Sequence, residues 1–198
     1  MKRIRLILWA GVAAVLVFLG VLMLQKPSVR PASTPVSGST FGGPFMLVGS
    51  DGKPFSSARL AGKPYVIYFG YTRCPDTCPT TLSRLVALRR QVGLGEDGFN
   101  IVFVTVDPAR DGPKEVGTYE HAFGAPIIGL TGSQDQIDAV KKQYGIFSQH
   151  VPDGNGDYSV DHTATVLLFD HDGKFAGTIA PDEPDPTALE KLKALARG

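Results

Sequence analysis

The chain has 198 residues, of which 43% are hydrophobic and 20% are charged, and its 20 Lys and Arg residues almost balance 19 Asp and Glu residues. This length suits one domain with an attachment, and it excludes a long repeat array or a multidomain enzyme. Five of the 20 bases lie in the first forty residues, which contain no acid, so residues 41–198 carry 15 bases against 19 acids. A mildly acidic domain without a basic stripe argues against nucleic acid as a partner.

The first predicted element is an apolar run of nineteen uncharged residues, 6–24. As a helix it would span about 28 Å, which matches the hydrocarbon core of a bilayer. No small-x-small cleavage site follows, which favours an uncleaved anchor over residues 1–25 rather than a signal peptide. Lys2, Arg3 and Arg5 precede the run and predict a cytoplasmic N-terminus. We therefore expect a single-pass protein of a bacterial inner membrane, with its soluble domain in the periplasm, where disulfides are permitted.

The second predicted element is a linker over residues 26–43, which is rich in Pro and Ser and offers almost nothing to bury. Such a composition is typical of a partly extended tether. The folded domain is accordingly assigned to residues 44–198.

Within this domain, β-branched and aromatic runs indicate strands, and apolar residues at helical spacing indicate helices. In chain order they predict a hairpin over 45–55, a strand over 65–69, a helix over 80–92, a strand over 101–106, helices over 113–122 and 133–144, a hairpin over 165–180 and a helix over 185–196. A strand, a helix and a second strand predict a parallel pair joined by a right-handed crossover. The whole order predicts an α/β fold, with a thioredoxin-like mixed sheet flanked by helices.

Both cysteines of the chain, Cys74 and Cys78, lie between the first long strand and its helix, with Arg73 beside them. The carboxyl end of a strand in an open α/β sheet is where ligands bind, and a helix N-terminus favours thiolates, so both thiols are expected to ionise readily. Their spacing permits a strained disulfide or two sulfurs on one metal ion. A purely structural disulfide is disfavoured, because so short a loop contributes little entropy. The spacing alone does not decide between metal and redox chemistry.

A firm metal site needs a third ligand, and the chain has four histidines. His121 and His171 are predicted at exposed positions, a helix end and a hairpin turn, and His150 is predicted in a loop. His162 directly precedes the strand predicted over 165–169, which neighbours the first long strand in a thioredoxin-like sheet. The preceding loop faces the start of the cysteine-bearing helix, so His162 is the preferred third ligand.

These motifs resemble, in order, the Sco/SenC family of membrane-anchored copper proteins, and the resemblance covers residues 44–196. It is carried by the segments 68–82, 104–111, 129–132, 144–146 and 161–162. The resemblance implies a copper site formed by Cys74, Cys78 and His162. Two soft thiolates and an imidazole suit Cu(I), and Cu(II) could be accommodated with an added ligand. The cysteines must be reduced before copper binds, and oxidation joins them in a redox disulfide.

The resemblance also implies a copper metallochaperone, rather than an enzyme, that delivers copper to the binuclear copper centre of cytochrome c oxidase or matures that centre. The implied partners are the oxidase subunit that carries this centre and the membrane, which is contacted through the N-terminal helix. Other periplasmic copper chaperones and thiol reductants are further candidates.

Two alternatives stay open. The first is a membrane-tethered thiol:disulfide oxidoreductase that keeps target cysteines of the oxidase reduced. Redox thioredoxins carry a proline where the strand opposite the cysteines begins, and residues 161–165 contain none, which favours metal binding. The second alternative is a peroxiredoxin-like peroxidase, which ranks third because the proline expected upstream of such a nucleophile is absent before Cys74.

Two further motifs are assigned no chemical role. Residues 153–157 imitate the start of a calcium loop, but Tyr158 stands where the loop needs Gly and Ala164 where it needs Glu, so a surface turn is predicted. The charged segment 107–111 is either a loop that faces a partner or an internally paired turn.

Overall fold

The computed structural model describes residues 41–198. The predicted anchor and the first fifteen residues of the predicted linker lie outside this part of the chain. Within residues 41–198, no helix is long and apolar enough to cross a membrane. Residues 41–43 already contact the domain, since the Gly42 N–H donates to the Gln143 carbonyl at 3.2 Å and the Tyr144 hydroxyl donates to the Gly43 carbonyl at 2.8 Å.

Seven strands form one mixed sheet. They are β1 (Met46–Gly49), β2 (Pro54–Ser56), β3 (Tyr65–Gly70), β4 (Asn100–Thr105), β5 (Ile128–Thr131), β8 (Val166–Phe169) and β9 (Phe175–Ile179). Their spatial order is β2-β1-β5-β4-β3-β8-β9. Strands β3, β4 and β5 are parallel, whereas β8 runs antiparallel to β3. Every residue of β3 is buried, as its continuous apolar and aromatic run predicts.

Four α-helices are present in residues 41–198: α1 (Thr77–Val92), α2 (Pro113–His121), α3 (Gln134–Gln143) and α4 (Asp185–Arg197). Helix α1 packs against α4, α2 against β5, and α3 against β1. Helix α3 begins with a capping box, in which Ser133 and Gln136 satisfy each other's backbone N–H groups. The parallel β3–α1–β4 unit and the terminal β8–β9–α4 unit form the thioredoxin-like arrangement that the sequence predicts.

Three strands were not predicted. Strand β5 lies between α2 and α3, and β6 (Ser148–Pro152) pairs with β7 (Tyr158–His162) in a separate two-stranded sheet. The prediction of two helices without an intervening strand is therefore wrong, and so is the prediction that His150 lies in a loop. Strand β6 exposes four of its five residues, so it has no hydrophobic alternation that a sequence pattern could reveal.

Helix α1 begins three residues earlier than predicted. Thr77, Cys78 and Pro79 form its first turn, and proline is well tolerated there because the first N–H groups of a helix have no partner within it. Cys78 consequently lies inside the helix, whereas Cys74 lies in the turn before it.

Candidate metal centre

The turn between β3 and α1 holds the two sulfur atoms close together. The Cys74 N–H donates to the Tyr71 carbonyl at 3.2 Å, which tightens the turn. The N–H of Cys78, in the first turn of α1, donates to Cys74 Sγ at 3.3 Å. An unpaired helix N–H is thereby satisfied by a sulfur atom, and it favours negative charge on that sulfur. Cys74 is half-buried and Cys78 is fully buried.

The structure places His162 at the end of β7, beside both cysteines. Its Nε2 lies 3.4 Å from Cys78 Sγ, and the three possible ligand atoms of Cys74, Cys78 and His162 all lie within 4.8 Å of one another. His162 Nδ1 lies 3.1 Å from the Thr163 carbonyl, where a proton on Nδ1 can be donated. With the proton on Nδ1, the Nε2 lone pair is free to bind a metal ion, whereas with the proton on Nε2 the ring can instead donate to a sulfur atom.

Two tyrosines that the sequence analysis missed surround this cluster. The Tyr68 hydroxyl lies 3.6 Å from Cys78 Sγ, and the rings of Tyr68 and Tyr71 stand edge-on to His162 at 6.0 and 5.9 Å. A buried tyrosine hydroxyl usually finds a hydrogen-bond partner. Tyr68 lies in a strand whose every residue is buried. Its hydroxyl therefore needs a polar partner inside the domain, and this requirement was the sequence signal that could have placed Tyr68 at the site.

The two thiols differ in acidity, which corrects the expectation that both ionise readily. The pKa of Cys74 falls to about 4, first because Cys78 donates a hydrogen bond to its sulfur and further because His162 and backbone N–H groups do the same. The pKa of Cys78 is raised, first by its hydrogen bond to Cys74 and then by burial. One thiolate and one protonated thiol therefore share the site at neutral pH.

This asymmetry predicts selective alkylation. At pH 6, which is above the pKa of Cys74, iodoacetamide should modify Cys74 of the reduced protein far faster than Cys78, because the thiolate is the nucleophile and Cys78 is buried and protonated. Labelling of Cys74 should slow only as the pH falls towards about 4. Peptide mass spectrometry after brief labelling measures both rates, and equal modification of the two cysteines would contradict the assignment.

The other motifs lie outside the cluster. His121 is exposed, and His150 stacks on the Tyr158 ring with 4.2 Å between ring centres. His171 lies in the turn between β8 and β9, as predicted. Residues 153–157 form the turn between β6 and β7, as the sequence predicts.

The fold and the site together define a class of protein: a thioredoxin-like domain in which a helix N-terminus presents two sulfur atoms to a histidine on a separate hairpin. This donor set suits a soft metal ion or a redox dithiol. The chain belongs to the SCO1/SenC family, which it matches over residues 33–197.

Similar proteins span bacteria and mitochondria. The chain is 35% identical over 175 residues to protein SCO2, mitochondrial, of Saccharomyces cerevisiae, covering 86% of this chain and 58% of that protein. It therefore spans about three fifths of the yeast relative's length. A SCO2-like protein of Rickettsia felis is 32% identical over 92% of this chain and 90% of its own length.

Solved structures agree with this membership. The structure of Bradyrhizobium japonicum ScoI with copper bound is 38% identical, with a TM-score of 0.71, and the match covers 78% of this chain and 99% of that one. The thioredoxin-like fold predicted from the sequence is thus the fold of this family.

Proposed function

We propose that this protein is a metallochaperone that binds one copper ion through Cys74, Cys78 and His162 and takes part in assembling the binuclear copper centre of cytochrome c oxidase. The observation that carries the proposal is the convergence of two sulfur atoms and one imidazole nitrogen within 4.8 Å. Thiolates and imidazole in a three-coordinate set suit Cu(I), and a further ligand from solvent or a partner would accommodate Cu(II). The oxidase subunit that carries the copper centre is the proposed recipient.

The openness of the site supports transfer of copper rather than permanent storage. Cys74 and His162 are only half-buried, and a cavity of about 260 Å³ opens beside them. A ligand from a partner can therefore approach a bound ion while Cys78 still holds it from the buried side. Stepwise ligand exchange would pass the ion on without releasing it into water.

Oxidation of the two cysteines would control copper binding. The two thiols lose two electrons and two protons to a disulfide acceptor and form a Cys74–Cys78 disulfide, which occupies both sulfur atoms. We propose that the oxidised protein does not bind copper until a thiol reductant restores the dithiol.

One observation favours a second candidate function, a thiol:disulfide oxidoreductase that reduces target cysteines of the oxidase. The low pKa of Cys74, about 4, supplies the attacking thiolate, and Cys78 supplies the resolving thiol. The peroxidase alternative is supported by the general fold alone.

Metal titration separates these functions. We expect the reduced protein to bind one equivalent of Cu(I), with two sulfur atoms and one nitrogen in its X-ray absorption spectrum, and we expect the oxidised protein to bind none at this site. Thiol counting before and after titration provides the control for redox state. A reduced protein that binds no copper, or an oxidised protein that binds it fully, would contradict the proposal.

We further propose that residues 6–24 anchor the protein in a bacterial inner membrane, with residues 25–198 in the periplasm. The apolar run and the basic cluster before it support this topology. Alkaline phosphatase fused after Gly198 should then be active in intact cells, and the same fusion to a chain with Lys2, Arg3 and Arg5 replaced by Glu should be less so. An inactive first fusion, or a mature protein released from the membrane, would count against it.

A further inference from the structure

The hairpin that carries His162 needs an attachment to the body of the domain. Strands β6 and β7 pair only with each other in the sheets of residues 41–198, and β6 is almost entirely exposed. Backbone pairing therefore fixes the shape of the hairpin but not its distance from the cysteines. That distance is set by side-chain contacts, together with the short connection, residues 163–165, from β7 to β8.

Arg110, in the turn after β4, contacts the hairpin through its Nη1 atom and through the face of its guanidinium group. Its Nη1 donates to Asp157 Oδ1 at 2.7 Å and to the Tyr158 carbonyl at 2.8 Å. Its central carbon lies 3.6 Å from the centre of the Tyr158 ring. A planar guanidinium that stacks and donates at once fixes both the position and the orientation of its partner.

Asp107 holds Arg110 and the hairpin together. Its side chain is 1% exposed and accepts hydrogen bonds from Arg110 Nε at 2.5 Å and from the Tyr158 hydroxyl at 3.0 Å. Only 11% of the Arg110 side chain is exposed, so water screens this ion pair far less than a surface pair.

The other end of the same turn holds the cysteine loop. Asp111 is fully buried, and its carboxylate accepts hydrogen bonds from the Thr72 N–H at 2.8 Å, the Thr72 hydroxyl at 2.6 Å and the Thr105 hydroxyl at 2.6 Å. Thr72 lies two residues before Cys74. The segment 107–111 is thus an internally paired turn, one of the two readings that the sequence left open.

We propose that residues 107–111 form a bracket that sets the position of His162 relative to Cys74 and Cys78, with Arg110 as the positioning residue on the histidine side. The inference deepens the proposed copper site and rests on the proposed function. The bracket joins the two parts of the chain that supply ligands. Cys78 and His162 are 84 residues apart in the sequence. The bracket acts through His162 and does not touch the metal.

A double-mutant cycle tests this role in the full-length, reduced protein. We expect Arg110→Gln to lower Cu(I) affinity about 10- to 100-fold in competition with a chromogenic chelator, as loss of a partner that orients a metal ligand usually does. In a His162→Ala background the same substitution should change the affinity little, because no imidazole remains to be positioned. An unchanged affinity in Arg110→Gln, or an equal loss in both backgrounds, would overturn the proposal.

Arg84→Gln is the matched control. Arg84 Nε donates to Asp185 Oδ1 at 2.6 Å, and its Nη2 donates to the Glu183 carbonyl, so it ties α1 to the start of α4 away from the metal site. We expect this variant to keep the wild-type copper affinity. If Arg110→Gln does not fold, the same cycle with Tyr158→Phe decides the question, because that change removes only the hydroxyl that donates a hydrogen bond to Asp107.

A measurement without copper separates the bracket from the proposed function. In the reduced, metal-free protein, nuclear Overhauser effects between the ring protons of His162 and those of Tyr68 and Tyr71 report the contacts at 6.0 and 5.9 Å between ring centres. They should weaken in Arg110→Gln and persist in Arg84→Gln. Persistence in both variants overturns the bracket, whereas a wild-type protein that shows these contacts but binds no copper overturns only the copper function.

Discussion

Replacing His162 with alanine is expected to lower the Cu(I) affinity of the reduced protein by about 100-fold or more while leaving a reducible Cys74–Cys78 disulfide. Loss of a residue that only orients a ligand costs about 10- to 100-fold, so loss of the ligand itself should cost at least the upper end of that range. Thiol exchange needs only the attacking and resolving sulfur atoms, which this substitution retains. Chelator competition measures the first effect, and titration with a thiol reagent measures the second.

The same variant distinguishes copper transfer from thiol reduction in cells. In a strain that lacks the protein and grows on limiting copper, His162→Ala should fail to restore cytochrome c oxidase activity. His121→Ala is the matched control, because His121 is exposed and lies outside the cluster. Restoration by His162→Ala to the wild-type level, with none by Cys74→Ser, would establish the reductase function and contradict the copper role of this histidine.

The parts of the fold that bury a regular face were predictable from the sequence. Strand β3 is a continuous apolar run, and α3 has a capping box at Ser133, so both patterns predict the observed elements closely. Strand β6 has no such face, because four of its five residues are exposed. Strand β7 alternates, with Val160 buried and Tyr158 and His162 half-buried on one side, but it is only five residues long. The hairpin as a whole therefore has only a weak sequence pattern. Its pairing is imposed by tertiary contacts, including the stacking of Arg110 on Tyr158, that no local pattern records.

The candidate site was predictable in its residues but not in its electrostatics. The position of Cys74 and Cys78 between a strand and a helix indicated that they meet, and the position of His162 before the strand predicted over 165–169 made it the preferred third ligand, in agreement with the family resemblance. The difference in acidity depends on α1 beginning at Thr77, which buries Cys78 and directs its N–H at Cys74. Element boundaries are the least reliable part of a sequence-based prediction, so the sequence alone predicts the same environment for both thiols.

Gly70, the last residue of β3, lies so close to the sulfur of Cys78 that any side chain should disturb the site. A Cβ atom there would lie 2.9 Å from Cys78 Sγ, 3.0 Å from Phe103 Cε2 and 3.1 Å from Tyr68 Cε1. Cys78, Phe103 and Tyr68 are all completely buried, so none of them has free space to enter, and the shortest of the three contacts is the one with the sulfur atom.

We therefore expect Gly70→Ala to reduce the free energy of unfolding by about 1–3 kcal/mol, as overpacking of a core does, and to lower Cu(I) affinity about tenfold by displacing Cys78 Sγ from His162. Denaturant unfolding of the metal-free protein and chelator competition measure the two effects separately.

Gly98→Ala is the matched control, because its Cβ would meet Leu94 Cβ at 3.4 Å and Val92 Cγ1 at 3.6 Å and its φ of −61° suits alanine. That variant should change the unfolding free energy by less than about 0.5 kcal/mol and leave copper binding intact. If Gly70→Ala keeps the wild-type stability and copper affinity, the packing around Gly70 does not hold the Cys78 sulfur in place, and this prediction is wrong.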